Sequence, residues 1–285
     1  MMNIYGLDFT SAPSLKKPIT VAHCRLEENC LSLESLGCLT SFAEFETFLS
    51  QSGPWIVGMD FPFGQPRTFI ENIGWPQTWK GYVSLVSKLT RLEFVDLLTA
   101  YCKNRESGDK HHLRRTDKLA NARSPMMLYR VPVGKMFFEG APRLLKSGVS
   151  IQPCYVRDDP RIVVEAYPVL VARRWIGQRS YKNDSVKGQT STRQAAREEI
   201  LRGLRSTHVK THFGFNIHFD DDHENEFIRD GSADQLDALL CAMQAGWAYL
   251  QRDHNFGIPV DCDPLEGGIV APLLACVKGK SLETK

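Results

Sequence analysis

The chain has 285 residues, of which 42% are hydrophobic, 10% aromatic and 24% charged, and its 35 Lys and Arg nearly balance 33 Asp and Glu for a formal net charge of +2. These values exclude collagen, coiled coil and low-complexity disorder. So small a net charge predicts neither a general affinity for polyanions nor an acidic halo, and a chain this long buries about three-quarters of its unfolded surface without staples.

In chain order, apolar runs over Asn3 to Phe9, Pro18 to Leu26 and Cys30 to Cys38 predict a three-stranded meander, with Glu27, Glu28 and Asn29 in its second turn. Ser41 and Glu44 form a capping-box pattern ahead of Phe42, Phe45, Phe48 and Leu49 at helical spacing. Gly53-Pro54 ends that helix, and Trp55 to Phe61 reads as a strand covered on both faces. Because the helix crosses over, this strand lies parallel to the first, in a mixed sheet. Residues 65–150 are helix-rich, with a capping box at Thr90 and Glu93 and a helix over Val133 to Ser147, and they read as an insertion. Between 100 and 150 there are eleven Lys and Arg against four acids. Arg161 to Tyr167 supplies a fifth strand, and Pro168 opens a helix to Trp175. A basic helix follows over Ser191 to Arg205, and then Phe219 to Asp237 carries eight acids and one Arg. The last long helix runs from Ser232 to about Arg252, with Leu236, Leu239, Leu240, Met243, Trp247 and Leu250 inward. The expected domain is single, spanning 1–285.

Eight scattered cysteines without a C-x-x-C pair point to a reducing compartment. The amino terminus lacks a basic region followed by an apolar stretch, and no run approaches the roughly 18 apolar residues of a membrane span, so a cytoplasmic location is expected.

The chemistry is concentrated where acids interrupt apolar strands. Gly6-Leu7-Asp8-Phe9 and Gly58-Met59-Asp60-Phe61 repeat one pattern at the carboxyl ends of the first and fourth strands, the edge at which α/β sheets bind ligands. Glu165, inside an apolar strand, needs a partner or a cation. Asp234 and Asp237, three apart, share one face of the last helix. Ser232 with Gln235 reads as a capping box, and the helix dipole accounts for Asp234 but not for the deeper Asp237. Two carboxylates about 5 Å apart repel by roughly 3 kcal/mol at an effective dielectric of 20. A converging set therefore takes up protons or hard cations, Mg²⁺ or Mn²⁺, and two such ions clamp a phosphodiester during in-line displacement.

GLDFTSA, GMDFP, VVEAYP, ADQLDALLCAMQAG and LEGGIVAP, with HLRRTDKLANAR between, resemble a bacterial and archaeal family of unknown function grouped with predicted nucleases of ribonuclease-H-like fold. The helix segment is also similar to the Asp-x-x-Asp-Ala-Leu stretch of Holliday-junction resolvases. The resemblance implies an α/β, ribonuclease-H-like mixed five-stranded sheet with flanking helices and a basic helical insertion. It also implies a metal-dependent nuclease acting on DNA or RNA, with Asp8, Asp60, Asp234 and Asp237 as ligands for two ions. In that reading Glu165 orients a ligand or water, and Arg114, Arg115 and Lys118 contact phosphates, which position a nucleic acid without reading its bases.

Two other classes compete: a phosphotransferase of the actin and sugar-kinase type, and a nucleic-acid-binding module without turnover. The first usually carries Gly after the strand aspartate, where Phe9 and Phe61 stand. His208, His212, His218 and His223 complete no zinc motif, and P-loop, dinucleotide and serine-hydrolase signatures are absent.

Overall fold

The computed structural model describes residues 1–275, so Cys276 lies outside the described residues. Strands are β1 (Met2–Asp8), β2 (Ile19–Glu27), β3 (Cys30–Leu39), β4 (Trp55–Met59), β5 (Ser150–Gln152), β6 (Arg161–Glu165) and β7 (Asn216–His218). Between β3 and β5 lie helices α1 (Phe42–Leu49), α2 (Arg67–Asn72), α3 (Trp79–Val86), α4 (Arg91–Lys103), α5 (Arg115–Ala120) and α6 (Val133–Ser147). After β6 come α7 (Pro168–Ile176), α8 (Ser191–Leu204), α9 (His208–Phe213), α10 (Asp221–Arg229), α11 (Asp234–Leu250) and α12 (Pro272–Ala275).

The strands form one sheet of seven, ordered β5-β6-β4-β1-β2-β3-β7. Pairings β1–β2 and β2–β3 are antiparallel, and the others are parallel. The expected five-stranded sheet is thus extended by two edge strands, β5 and β7, of three residues each, too short to show any periodicity in sequence. The meander, the crossover through α1 and the parallel β4 stand as expected, with Glu28 taking the left-handed turn conformation (φ 49°). β4 is buried at every residue because helices cover both faces of the sheet.

Helix starts follow local hydrogen bonding. Thr90 and Glu93 close a complete capping box on α4. On α1, Ser41 Oγ accepts from the Glu44 N–H at 3.2 Å, while the Glu44 carboxylate reaches back to the Thr40 N–H. On α8 the cap is Thr190, whose side chain accepts from the Arg193 N–H. α11 begins after Ala233 (φ 59°), not at Ser232. Asp230 has taken the capping part, accepting from the Ser232 N–H at 3.0 Å and the Gln235 N–H at 3.3 Å.

Two cores flank the sheet. On one face α11 packs with α7, α8 and α9 over Ile4, Ala22, Cys24 and Val164. On the other, α1, α3, α4 and α6 enclose Phe45, Tyr82, Phe94 and Phe137. Helices of the 65–150 segment therefore build half of the interior and carry most of its basic residues, while Arg105, Lys110, Arg114, Arg123 and Arg130 sit in the loops on either side of α5. Among the described residues no helix is long and apolar enough to cross a membrane.

Candidate active site

β1, β4 and β6 are consecutive parallel neighbours, with Gly6 opposite Gly58 and Met59 opposite Glu165. Asp8, Asp60 and Glu165 therefore stand at the same, carboxyl end of three adjacent strands. The Asp60 N–H donates to the Leu7 carbonyl at 3.0 Å, which carries the β1–β4 ladder one step beyond β4. α11 crosses directly behind β1 and β4 because glycines let it. A Cβ on Gly6 would lie 2.0 Å from the Ala238 carbonyl, and one on Gly58 would lie 2.4 Å from that of Cys241. That approach brings the first turn of α11, with Asp234 and Asp237, to the strand aspartates.

Four aspartates thus share one region, but they differ in what satisfies them. Asp237 is wholly buried; the Tyr181 hydroxyl donates to it at 2.6 Å, and Lys182 Nζ contacts its other oxygen. Asp234 accepts from Lys17 Nζ at 2.8 and 2.9 Å, and the same ammonium reaches Asp184 at 2.8 Å. Asp8, 7% exposed, and the half-buried Asp60 accept no hydrogen bond among the described residues.

Burial pushes the Asp8 carboxyl well above the usual range, reinforced by Asp237, Asp234 and Asp60 and opposed by Lys182. Burial likewise raises Asp60 to about 7, against Lys182 and with Asp237 and Glu165. Asp237 is raised chiefly by burial, with Lys182 and Tyr181 pulling the other way. Burial disfavours the charged form of Lys182, yet Asp237, Asp8 and Asp60 together hold its ammonium well above its ordinary value. Among the described residues no group of three or more His, Cys, Asp or Glu side chains is placed to hold a metal ion. The expected four-aspartate cage is not assembled, because two lysines stand among the carboxylates and occupy Asp234 and Asp237.

The Asp60 carboxyl makes stability depend on pH. The folded chain keeps its proton to about pH 7, while the unfolded chain releases it near 3.8, so across that window the folded state binds more protons and loses stability as pH rises. Asp60→Asn removes this loss. Urea unfolding is expected to show little gain for the variant at pH 4 and a gain at pH 8 of up to about 4 kcal/mol. Equal gains at both pH values would contradict the assignment.

Glu165 and Arg114 play other parts than those expected. Arg114, 2% exposed, forks onto Glu165 (Nη2–Oε1 2.6 Å, Nη1–Oε2 2.8 Å) and onto Asp117 (Nη2–Oδ1 2.7 Å, Nε–Oδ2 3.0 Å). Glu165 also accepts from the Phe63 N–H at 2.9 Å. Arg114 is thus unavailable to a phosphate, and Glu165 is a buried ion-pair partner locking α5 to β6. Arg115 pairs with Asp261 away from the cavity described below, and Lys118, exposed on α5, does not line it. Arg114→Ala leaves two buried carboxylates unpaired and should cost about 3–5 kcal/mol in a chemical unfolding titration. A loss below about 1 kcal/mol would show that water compensates the pair.

Above Asp8, Asp60 and Asp234 opens a cavity of about 870 Å³. Its cationic wall is Lys17, Lys182, Arg123, Arg130, Arg173 and Arg179. Arg123 and Arg130, in the loop between α5 and α6, are exposed and have no ion-pair or hydrogen-bond partner among the described residues. Sequence reasoning missed these residues and both lysines. Lys17 and Lys182 lie in irregular segments, where no periodicity betrays direction; for Arg123 and Arg130 the signal was the basic excess over 100–150.

No curated protein and no solved structure matches the chain. Residues 6–255, which include every aspartate of the site, match the family model described as protein of unknown function (DUF429), and the chain belongs to that family.

Proposed function

We propose that the chain is a divalent-metal-dependent phosphodiester hydrolase acting on nucleic acid, built on a ribonuclease-H-like fold. The reading is carried by one observation: Asp8 and Asp60 end adjacent parallel strands, lack hydrogen-bond donors among the described residues, and line a cavity with unpaired guanidinium groups on its wall. The strand order β3-β2-β1-β4-β6, with an antiparallel first trio, supports the fold assignment.

The donor set suits one ion rather than two. Mg²⁺ and Mn²⁺ are commonly held by one or two carboxylates, with water and substrate phosphate oxygens completing the shell. Asp8 and Asp60 are the residues that would hold it. When bound, the ion polarises the phosphoryl group and activates water. Lys182 brings fixed positive charge beside the same two carboxylates, the part that a second ion plays in two-metal sites. Tyr181 and Asp237 orient that ammonium. Arg123 and Arg130 are free to bind phosphates flanking the scissile one, and a nearly neutral chain thereby presents a local cationic surface.

The phosphotransferase alternative has less support, since Phe9 and Phe61 follow the strand aspartates and no glycine-rich phosphate loop lines the cavity. The test is incubation of the full chain with end-labelled DNA and RNA, single-stranded and duplex, with Mg²⁺, Mn²⁺ or chelator. Cleavage that requires the cation is expected. Intact substrate under every condition would overturn the proposal.

A further inference from the structure

A second cavity, of about 200 Å³, adjoins the acidic centre. It shares Asp60, Lys182, Arg123, Val131, Met136 and Val169 with the larger one and so forms a side chamber of the same site. Its chemistry is different. The walls are Val131, Val133, Met136, Ala166, Ile269 and the ring of Tyr167. The charged groups that reach it from below, Arg114, Asp117 and Glu165, are consumed by one another. Tyr167 is held in place by its N–H bond to Gln244 Oε1 at 2.9 Å and by the Arg173 guanidinium, 5.7 Å from the ring centroid. Its hydroxyl has no hydrogen-bond partner among the described residues, so it remains available to a ligand.

Beyond Asp60, Lys182 and Arg123, which it shares with the larger cavity, the recess is lined mainly by apolar groups and the Tyr167 ring, and leaving it to water wastes buried surface. It suits a flat ring system with a polar edge. The volume is below the roughly 300–1,000 Å³ of a complete small-ligand site, so it accommodates one such ring while the larger cavity takes what is attached to it. Resting on the hydrolase reading for the identity of the substrate, we infer that the chamber receives the base of an unpaired nucleotide whose phosphate lies over Asp8 and Asp60. A base within a continuous duplex cannot enter without leaving its stack. The preferred substrate class is therefore single-stranded nucleic acid or a frayed end, with little sequence preference, because every base presents a π-face.

The test measures binding and needs no turnover. With the full chain in Mg²⁺, adenosine 5′-monophosphate and ribose 5-phosphate are titrated by calorimetry. The nucleotide is expected to bind about tenfold or more tightly than the sugar phosphate. Val133→Trp, which fills the chamber without touching the larger cavity, should bring the nucleotide to the affinity of the sugar phosphate and leave the latter unchanged. Tyr167→Ala should also abolish the preference by removing the aromatic wall, and it covers the case in which the bulky variant fails to fold. Equal affinities for the two probes, undetectable binding of both, or a preference that survives in either folded variant overturns the inference. Base preference without cleavage of any diester would overturn the hydrolase reading alone. Cleavage without base preference would overturn the chamber alone.

Discussion

Asp8→Asn is expected to reduce metal-dependent phosphodiester cleavage by a factor on the order of 10³ or more, since the ion's contribution to the transition state is several kcal/mol and each 1.36 kcal/mol is tenfold. Asp60→Asn should do the same, because the two carboxylates end neighbouring strands and neither alone makes a site. The folded state tells a different story. Asp8 is buried with no donor among the described residues and faces other acids, so the amide removes a destabilising charge, and unfolding at pH 8 should require as much urea as wild type or more. Loss of activity with intact or improved stability separates a functional carboxylate from a structural one. The contrast within the chain is Arg114, whose removal damages the fold first. Full turnover in either Asn variant would remove these residues from the chemistry. A variant that unfolded at pH 8 would contradict the expected stability and mark the carboxylate as structural.

Gly6→Ala should destabilise the chain by more than about 4 kcal/mol or prevent its folding, a size reserved for backbone clashes and comparable defects. The added Cβ would meet the Ala238 carbonyl at 2.0 Å and the Ala242 nitrogen at 2.2 Å, both main-chain atoms that no rotamer change can move. Relief requires lifting α11 from β1, which would also draw Asp234 and Asp237 away from Asp8. Gly37→Ala in the exposed part of β3 is the matched control. Nothing lies within 4 Å of its Cβ, so its effect should stay within about 1 kcal/mol and favour the alanine. Denaturant midpoints of the two variants measure the difference directly, and a Gly6→Ala protein as stable as wild type would mean that the helix does not lie against the strand as described.

What the sequence by itself determined is what local periodicity and short-range hydrogen bonding can encode. The meander, the α1 crossover, the bounds of α6, the α4 capping box and the two Gly-x-Asp-Phe strand ends are all of this kind, since apolar spacing of two or 3.6 residues records which face is buried. It also marked Asp8 and Asp60 as strand-end acids, because a carboxylate at the end of an apolar run is conspicuous without any partner. Only the tertiary structure decided how each charge is compensated. Arg114 sits in a run that looks solvated, yet 51 residues separate it from the Glu165 that it neutralises, and 217 separate Lys17 from Asp234. Coulomb energy depends on distance in space, and folding alone sets that distance. For the same reason the lysines that break up the aspartate cage and the chamber beside Tyr167 belong to the packing of distant segments and leave no pattern along the chain, while the basic excess over 100–150 marked the region of Arg123 and Arg130 without showing which of its cations stay unpaired among the described residues.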